Sequence, residues 1–467
     1  MKATITILFP VIFSLFSNPV FSQGEPFNFR IVTTGLQFPW EITYGPDGFI
    51  WVTERAAKRV TRVHPITGIK TVAVTISEVY QSGGQDGLMG MAFHPQLLTG
   101  TGKDFVYVAY TYDADPAAGV KRRTKIRRYT YNSGTKTLGS PRDLIKNLPA
   151  SNDHNSGRLK IGPDLKLYYT IGDMGANQFK NKCNRIRSQE VPSAGQVSHL
   201  DWTTYQGKTL RLNLDGSIPS ANPLFSGVRS HIYSRGHRNA QGMVFGPGGT
   251  LYADEHGPKS DDEINIIRAG KNYGWPHVAG YNDDRAYVYG NWSASSPTPC
   301  ASLTYSDYTI PPSVPTYTES SWTNPGFVAP IKTLFTVENG FNFQDPACAG
   351  KYFLCWPTVA PSSLDIYAKT TGGIPAWANS LLVISLKTGG MYRLKLSADG
   401  NSTVGDAEGY WFTQNRYRDV ALNPDGVTFY VSTDNAGATS GPTTGWTTTL
   451  SNPGAILEFQ YTGATEP

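Results

Sequence analysis

Five short polar clusters hold the side chains able to do chemistry. Ser151-Asn152-Asp153-His154-Asn155-Ser156-Gly157-Arg158 sets a carboxylate beside an imidazole, and a general base needs such a neighbour for orientation and basicity. A polar surface turn is the competing reading. His237-Arg238-Asn239-Ala240-Gln241-Gly242 flanks a guanidinium with amides, a grouping that holds a developing anion or polarises a carbonyl; a loop salt bridge is the alternative. Glu255-His256-Gly257-Pro258, then Ser260-Asp261-Asp262-Glu263, puts consecutive acids in a Gly/Pro loop, which suits a hard cation with oxygen ligands but lacks the EF-hand spacing. Asn272-Tyr273-Gly274-Trp275-Pro276 with Tyr281-Asn282-Asp283-Asp284 adds aromatics, core packers by default, beside further oxygen donors. In Asn415-Arg416-Tyr417-Arg418-Asp419 the two arginines share one face of an extended segment, an arrangement for a polycarboxylate or for a structural ion-pair network.

The elements that position these clusters announce themselves by a repeated turn. Gly45-Pro46-Asp47-Gly48 leads into Phe49-Ile50-Trp51-Val52, Gly162-Pro163-Asp164 into Leu167-Tyr168-Tyr169-Thr170, Gly246-Pro247-Gly248-Gly249 into Leu251-Tyr252, and Asn423-Pro424-Asp425-Gly426 into Phe429-Tyr430-Val431. Phe93-His94-Pro95 before Phe105-Val106-Tyr107-Val108 is a looser copy. Proline presets φ at the second turn position, and Gly or Asp tolerates the tight geometry of the next. Each strand leaving the turn is aromatic or β-branched. Recurrent units of this kind over residues 24–467 predict an all-β fold, one catalytic domain forming a β-propeller of about six blades, each a four-stranded antiparallel sheet, with long inter-strand loops and little helix. A β-sandwich with many turns is the alternative. The stretches 174–205 and 284–330 lack strand periodicity and read as elaborated loops, where a propeller carries its binding residues.

Composition narrows the function classes. The 467 residues carry 48 glycines, 32 prolines and only 16% charged side chains, with a net charge of +5 that is dispersed rather than gathered in a stripe, so nucleic-acid binding is not expected. No dinucleotide-binding glycine fingerprint, phosphate-binding loop or nucleophile elbow is present, which leaves nicotinamide, nucleotide and serine-hydrolase chemistry without support. Residues 1–23 read as a cleavable secretory signal peptide: Lys2, an apolar run from Ile5 to Phe16, then Val20-Phe21-Ser22. The expectation is a secreted, periplasmic protein without a membrane span. Cys183, Cys300, Cys348 and Cys355 then meet an oxidising compartment. Cys348 and Cys355 are near enough in sequence to staple one loop; for Cys183 and Cys300, pairing and free thiols both stay open. No C-x-x-C pair suggests zinc or c-type haem.

In order and spacing these clusters resemble the soluble pyrroloquinoline quinone (PQQ) glucose dehydrogenase family. The likeness runs from Trp51-Val52-Thr53-Glu54-Arg55-Ala56 to Asn452-Pro453-Gly454. It includes Arg127-Arg128-Tyr129-Thr130-Tyr131-Asn132, Leu210-Arg211-Leu212-Asn213-Leu214-Asp215-Gly216-Ser217-Ile218-Pro219 and Cys355-Trp356-Pro357-Thr358-Val359-Ala360-Pro361-Ser362-Ser363. The resemblance implies a propeller with PQQ in the channel mouth, oxidation of glucose and other mono- and disaccharides at C1 to the lactone, and an external electron acceptor. His154 would be the general base, Asp153 would help hold substrate and His154, Gln178 would contact sugar, and Arg238 would bridge sugar and PQQ. The three PQQ carboxylates would meet Lys387, Arg416 and Arg418, with Gln85, Asn239 and Thr358 adding hydrogen bonds and Phe353 and Trp356 packing near the ring. One Ca²⁺ would sit on the backbone carbonyls of Gly257 and Pro258; structural Ca²⁺ would use Glu263, Tyr273, Ala279, Tyr281, Asp283 and Glu319, near a homodimer interface. Cys348–Cys355 would match the family's loop disulfide. The alternatives are a PQQ dehydrogenase of another sugar or alcohol, or a non-catalytic sugar-binding propeller.

The chain also departs from the family pattern. His256 stands for Gln beside the calcium-binding Gly-Pro, and an imidazole there is expected to change charge with pH. Phe353 stands for Tyr, with Tyr352 next to it as a possible stand-in, and Asp86 stands for Asn after Gln85. Residues 174–205 and 284–318 differ substantially, and Cys183 and Cys300 lie outside the pattern.

Overall fold

Each copy of the repeated turn closes the first hairpin of a sheet. In the computed structural model, which describes residues 26–442 and 445–466, Gly48, Gly249 and Gly426 donate their N–H to the carbonyls of Gly45, Gly246 and Asn423 at 2.9–3.0 Å. Their φ angles are +76°, +81° and +78°, the left-handed region that glycine enters without penalty. The copy that starts at Gly162 puts Leu165 there, at φ +55°. The signal-peptide expectation for residues 1–23 lies outside the described residues.

The strands assemble into six four-stranded antiparallel sheets. Blade 1 runs Pro39–Tyr44, Ile50–Glu54, Arg59–Val63, Lys70–Thr75, and blade 2 runs Leu88–Phe93, Phe105–Asp113, Arg122–Asn132, Thr137–Pro149. Blade 3 is Ser156–Ile161, Lys166–Ile171, Lys208–Asn213 and Ile232–Arg235; blade 4 is Ala240–Phe245, Leu251–Glu255, Glu263–Ile266 and Lys332–Thr333. Blade 5 is Pro361–Tyr367, Ser380–Ser385, Met391–Lys395 and Glu408–Tyr410. Blade 6 takes Tyr417–Leu422, Thr428–Thr433 and Ile456–Tyr461 from the C-terminal end, and its outer strand, Phe27–Thr33, from the N-terminal end, in register from Phe27 opposite Tyr461 to Ile31 opposite Leu457, with a slip before Thr33 opposite Ile456. The two ends of the described chain thus close the ring. The expected six-bladed propeller is the observed fold, and the only α-helix among the described residues is Ala194–Ser198. No helix among them is long and apolar enough to cross a membrane.

Both faces of every blade are apolar because each blade packs against two neighbours. The core accordingly divides by interface. Trp51, Val60, Val106 and Tyr131 fill the gap between blades 1 and 2, and Tyr107, Leu159, Tyr169 and Leu210 that between 2 and 3. Tyr168, Met243 and Ala253 join blades 3 and 4; Val244, Leu364 and Val383 join 4 and 5; Trp377, Ile384 and Phe429 join 5 and 6; Ile42, Val52 and Tyr430 join 6 and 1.

The first strand of each blade lines the axis. In all six, pairing with the second strand slips near the N-terminal end: Pro39/Ile42, Leu88/Met91, Ser156/Leu159, Ala240/Gly242, Pro361/Ser363 and Tyr417/Asp419. Such bulges bend a strand and re-aim its side chains. They lie on one rim of the ring, where the first strands begin and the second strands end.

Candidate active site

That rim gathers the polar clusters. Gln85, His154, Arg238, Asn239, Thr358 and Arg416 precede or open first strands; Asp173, His256, Lys387 and Asp434 come just after second strands. Antiparallel pairing puts the beginning of one strand and the end of the next on the same edge, so residues far apart in sequence converge.

His154 is the centre of the first group. It is buried, at φ +46°, and Ser156 sits at φ +54°, left-handed conformations that side-chain-bearing residues adopt at a cost and that concentrate at functional sites. Gly172 makes room: a Cβ there would meet the His154 carbonyl oxygen at 1.9 Å. The Asp173 carboxylate lies 2.8 Å from His154 Nδ1 and takes a second hydrogen bond, 2.9 Å, from Trp275 Nε1. On the other side Gln178 Nε2 stands 3.2 Å from His154 Nε2. Arg238 Nη2, which can only donate, reaches Gln178 Oε1 at 3.2 Å and so fixes which way the amide faces. The amide NH₂ therefore points at His154 Nε2, which must carry the lone pair, while Nδ1–H donates to Asp173. This is the tautomer a base requires.

The carboxylate orienting the imidazole is therefore Asp173, not the sequence neighbour Asp153. Asp153 stands 3.9 Å from the ring nitrogen Nε2, beyond hydrogen-bond reach. It accepts instead from the His154 backbone N–H at 3.0 Å, Gln85 Nε2 at 2.7 Å and Gln178 Nε2 at 3.2 Å, which ties the loop to the side chains facing the cleft. Among the described residues Arg238 has no carboxylate partner for its side chain. Its Nη1 donates to the His256 carbonyl at 3.3 Å, its guanidinium lies 5.3 Å from the Trp275 ring, and its Nε is buried without a partner. Glu255 holds the turn beneath it, accepting from Asn239 N–H at 3.1 Å and from Arg238 N–H, with His237 Nδ1 at 2.9 Å.

Beside this group is a cavity of about 200 Å³ lined by Arg55, Lys387, Arg416 and Arg418, with Gln85, Trp40, His256 and Phe353 among its walls. Four cations face it. Asp434 neutralises Arg418 in a two-pronged pair at 2.8 and 3.1 Å and stands 3.6 Å from Arg416. Arg55 and Arg416 otherwise meet backbone carbonyls, and burial lowers both from the usual guanidinium range. Lys387 Nζ donates to Thr358 Oγ1 at 2.8 Å and to the Trp356 and Phe353 carbonyls at 2.5 and 3.2 Å; burial pulls it down to about 7 against the attraction of Asp262. Among the described residues Asn239 Nδ2 is buried without a hydrogen-bond partner, and Arg416 Nε makes no hydrogen bond beyond its 3.6 Å ion pair with Asp434. Excess buried positive charge with idle donors fits a compact polyanion. Thr358, Trp356 and Asn239 stand behind the cavity wall, where the first two hold Lys387.

Three departures from the family pattern have a physical reading here. Burial and the Arg238 charge push His256 down to about 3, and its Nε2 lies 2.8 Å from the Pro361 carbonyl. It therefore stays neutral over the ordinary pH range, against the expectation of a pH-dependent charge. Phe353 lines the cavity at 43% exposure, while Tyr352 turns to Tyr308 with ring centres 5.9 Å apart. Asp86 faces away, paired with Arg122 at 2.7 Å.

The residues expected to hold metal fall in two places. Gly257 and Pro258 lie between the two groups above, with Gly257 N–H on Asp262 at 2.9 Å. Glu263, Ala279, Tyr281, Asp283 and Glu319 gather round segment 279–284. Glu263 accepts from Gly280 N–H at 2.7 Å, and Glu319 accepts from the N–H groups of Ala279 and Asp284 at 2.9 and 3.0 Å. Burial raises Glu319 to about 7 and Asp261 to about 6, and raises Glu263 well above its usual range. Neither Asp261, Glu263 nor Glu319 has a Lys or Arg partner among the described residues, and Asp261 Oδ2 is buried and idle. Uncompensated buried carboxyls of this kind suit a bound cation, although no three His, Cys, Asp or Glu side chains among the described residues form a ready-made cluster. Tyr273 has its hydroxyl engaged with Ile266 O and Arg268 N–H, leaving its backbone carbonyl as the possible ligand. Both cysteine pairs are disulfides: Cys348–Cys355, and Cys183–Cys300, which joins the two divergent loops.

Sequence reading missed Asp173, Trp275 as its partner, and Arg55 and Trp40 in the cavity wall; Asp261 it named only as one of three consecutive acids. The signals were faint. Gly172-Asp173 ends a second strand as Glu54-Arg55 does, and only the ring brings those ends to one rim.

The glucose/sorbosone dehydrogenase family profile matches residues 36–333 and 341–440. The chain is 45% identical over 443 residues to the quinoprotein glucose dehydrogenase B of Acinetobacter calcoaceticus, spanning 94% of this chain and 92% of that one. It is 23% identical over 427 residues to an aldose sugar dehydrogenase of Escherichia coli, spanning 90% and 94% of the two. Among solved structures, the PQQ-bound form of an aldose sugar dehydrogenase from Streptomyces coelicolor matches with a TM-score of 0.59 at 25% identity, over 94% of this chain and 99% of that one. The apo form of the soluble Escherichia coli enzyme matches with a TM-score of 0.65 at 22% identity, over 94% and 100%, a likeness of fold.

Proposed function

The chain belongs to the glucose/sorbosone dehydrogenase family, and on that premise we propose that it is a PQQ-dependent dehydrogenase that oxidises aldose sugars, glucose among them, at C1 to the lactone. The observation that carries this is the juxtaposition of a base-competent His154 with a cavity whose four cations call for a polyanion. Lys387, Arg416 and Arg418 would hold the cofactor's carboxylates, with Gln85, Asn239, Thr358, Phe353 and Trp356 around them. Bound PQQ supplies the electron sink that takes the hydride from the sugar's anomeric carbon.

The protein's part is to place and deprotonate the sugar. His154 Nε2 takes the proton of the anomeric hydroxyl, and Asp173 stabilises the resulting imidazolium through Nδ1–H. Gln178 and Asp153 hold the sugar beside the ring. Arg238, charged and unpaired, faces the place where negative charge develops, and its fixed position spares reorganisation. Ca²⁺ on the carbonyls of Gly257 and Pro258 would act as a Lewis acid there, and the acids around segment 279–284 would hold structural Ca²⁺ near a homodimer contact. The two disulfides accord with a secreted, periplasmic protein. Reconstituting the apoprotein with PQQ and Ca²⁺ and adding glucose tests the reading: a redox dye should be reduced only when all three are present. Dye reduction independent of PQQ, or none with any aldose, would refute it.

A further inference from the structure

A polar hollow larger than the cofactor cavity opens beside it. It is a groove of about 780 Å³ on the same rim, between blades 2 and 3. Its walls carry four cations, Lys121, Arg123, Arg185 and Arg187, and one carboxylate, Asp201. Lys121 and Arg123 make no ion pair among the described residues, and Arg185 and Arg187 share a single partner, Glu190, both at 2.8 Å. Asp201 is occupied by Gln196 and Thr203 and held below the usual carboxylate range by those hydrogen bonds. The groove is therefore a site of net positive charge with room for a small molecule.

Its position suggests what it takes. Ser151 forms part of its lip. The Ser151 N–H donates to Asn155 Oδ1 at 2.9 Å, and Asn155 Nδ2 donates back to Ser151 O at 2.7 Å and onward to the Gln85 carbonyl at 3.2 Å. Gln85 is a wall of the cofactor cavity. One hydrogen-bonded loop thus separates groove from cavity, and Ala176 is shared between the groove and the aromatic cleft that holds Gln178 and Trp275. The far wall belongs to the 183–206 segment, tethered by Cys183–Cys300 and divergent from the family pattern.

We propose that this groove docks a small anionic one-electron oxidant that reoxidises the enzyme. The assignment rests on the dehydrogenase reading above. Oxidation of one aldose to its lactone releases two electrons and two protons; two oxidant molecules, arriving in turn, take the electrons, and water takes the protons.

The test uses holoenzyme and the double variant Lys121→Glu/Arg185→Glu, both positions solvent-exposed. Hexacyanocobaltate(III), a redox-inert trianion, is titrated calorimetrically; ferricyanide and a phenazinium cation serve as acceptors with glucose saturating. The wild type should bind the probe, the variant at least tenfold more weakly, and added salt should erase the difference. The variant's kcat/KM for ferricyanide should fall at least tenfold while that for the phenazinium holds or rises. Equal probe affinity in both proteins, or equal losses with both acceptors, would overturn the assignment. Because probe binding needs no turnover, a protein that binds the probe yet passes electrons from glucose to neither acceptor overturns the dehydrogenase reading instead, and the acceptor role with it.

Discussion

As the proposed base, His154 would work only while its proton sits on Nδ1, whose hydrogen bond Asp173 accepts at 2.8 Å. In Asp173→Asn either orientation of the amide sets an NH₂ against an N–H donor, because one oxygen now faces His154 Nδ1 at 2.8 Å and Gly175 N–H at 2.9 Å and the other accepts from Trp275 Nε1 at 2.9 Å; the negative charge that stabilises the imidazolium is lost in both. Turnover should fall about 10²- to 10⁴-fold with sugar KM little changed, measured by steady-state kinetics; Asp153→Asn should act mainly on KM. Lys387 adds a pH dependence. Burial leaves it near 7 in the free protein instead of 10.5, and a bound carboxylate would raise it. The charge-dependent part of cofactor affinity is then full below about pH 7 and declines by up to about tenfold per unit as pH rises, until the pH passes the raised value in the complex. Cofactor titrations between about pH 6 and 9 check the slope, which Lys387→Met should abolish. Arg416, Arg418 and His154 were legible in sequence because the two arginines share a strand face and Asp-His adjacency invites attention, whereas Arg55 and Trp40 were not. Adjacency also misled: it pointed to Asp153, whereas the left-handed turn at His154 aims the ring at Asp173 on the next strand.

At the scale of elements, the repeated turn made the fold readable, since each copy marks a blade's first hairpin. Blade 5 has no copy; residues 368–379 replace it with a longer loop that buries Trp377, so sequence alone did not show that blade. The blade 3 copy carries Leu165, half exposed, where three others have glycine. Leu165→Gly should relieve left-handed strain and stabilise the protein by about 0.5–1 kcal/mol, read from denaturant unfolding; a loss of stability would show that the leucine's contacts outweigh its backbone cost. The rim bulges could not be foreseen, because slippage of register depends on both strands of a pair.

At the scale of the molecule, one side chain ties the ring together. Arg158, on blade 3, pairs with Glu41 of blade 1 at 2.6 Å and Asp419 of blade 6 at 3.1 Å, and donates to carbonyls of Gln241 in blade 4 and Ser362 in blade 5 at 2.8 and 3.0 Å. Its guanidinium also lies 4.4 Å from the Trp40 ring, a wall of the cavity proposed to hold the cofactor. Arg158→Met leaves Glu41 and Asp419 facing each other without their shared cation and should cost about 3–5 kcal/mol, seen as a lowered Tm; adding Asp419→Asn should recover part of the loss. Sequence showed Arg158 only as the tail of the His154 cluster, because its partners come from four other blades. The same convergence underlies the central claim, that a cationic rim holds the cofactor while His154 faces the sugar. Its most direct test is a single-turnover experiment without acceptor: protein loaded with PQQ and Ca²⁺ is mixed with glucose while the cofactor absorbance is monitored. The account predicts rapid bleaching in the wild type and, in His154→Ala with stoichiometric PQQ bound, a rate lower by at least about 10²-fold; bleaching of that variant at the wild-type rate would contradict it.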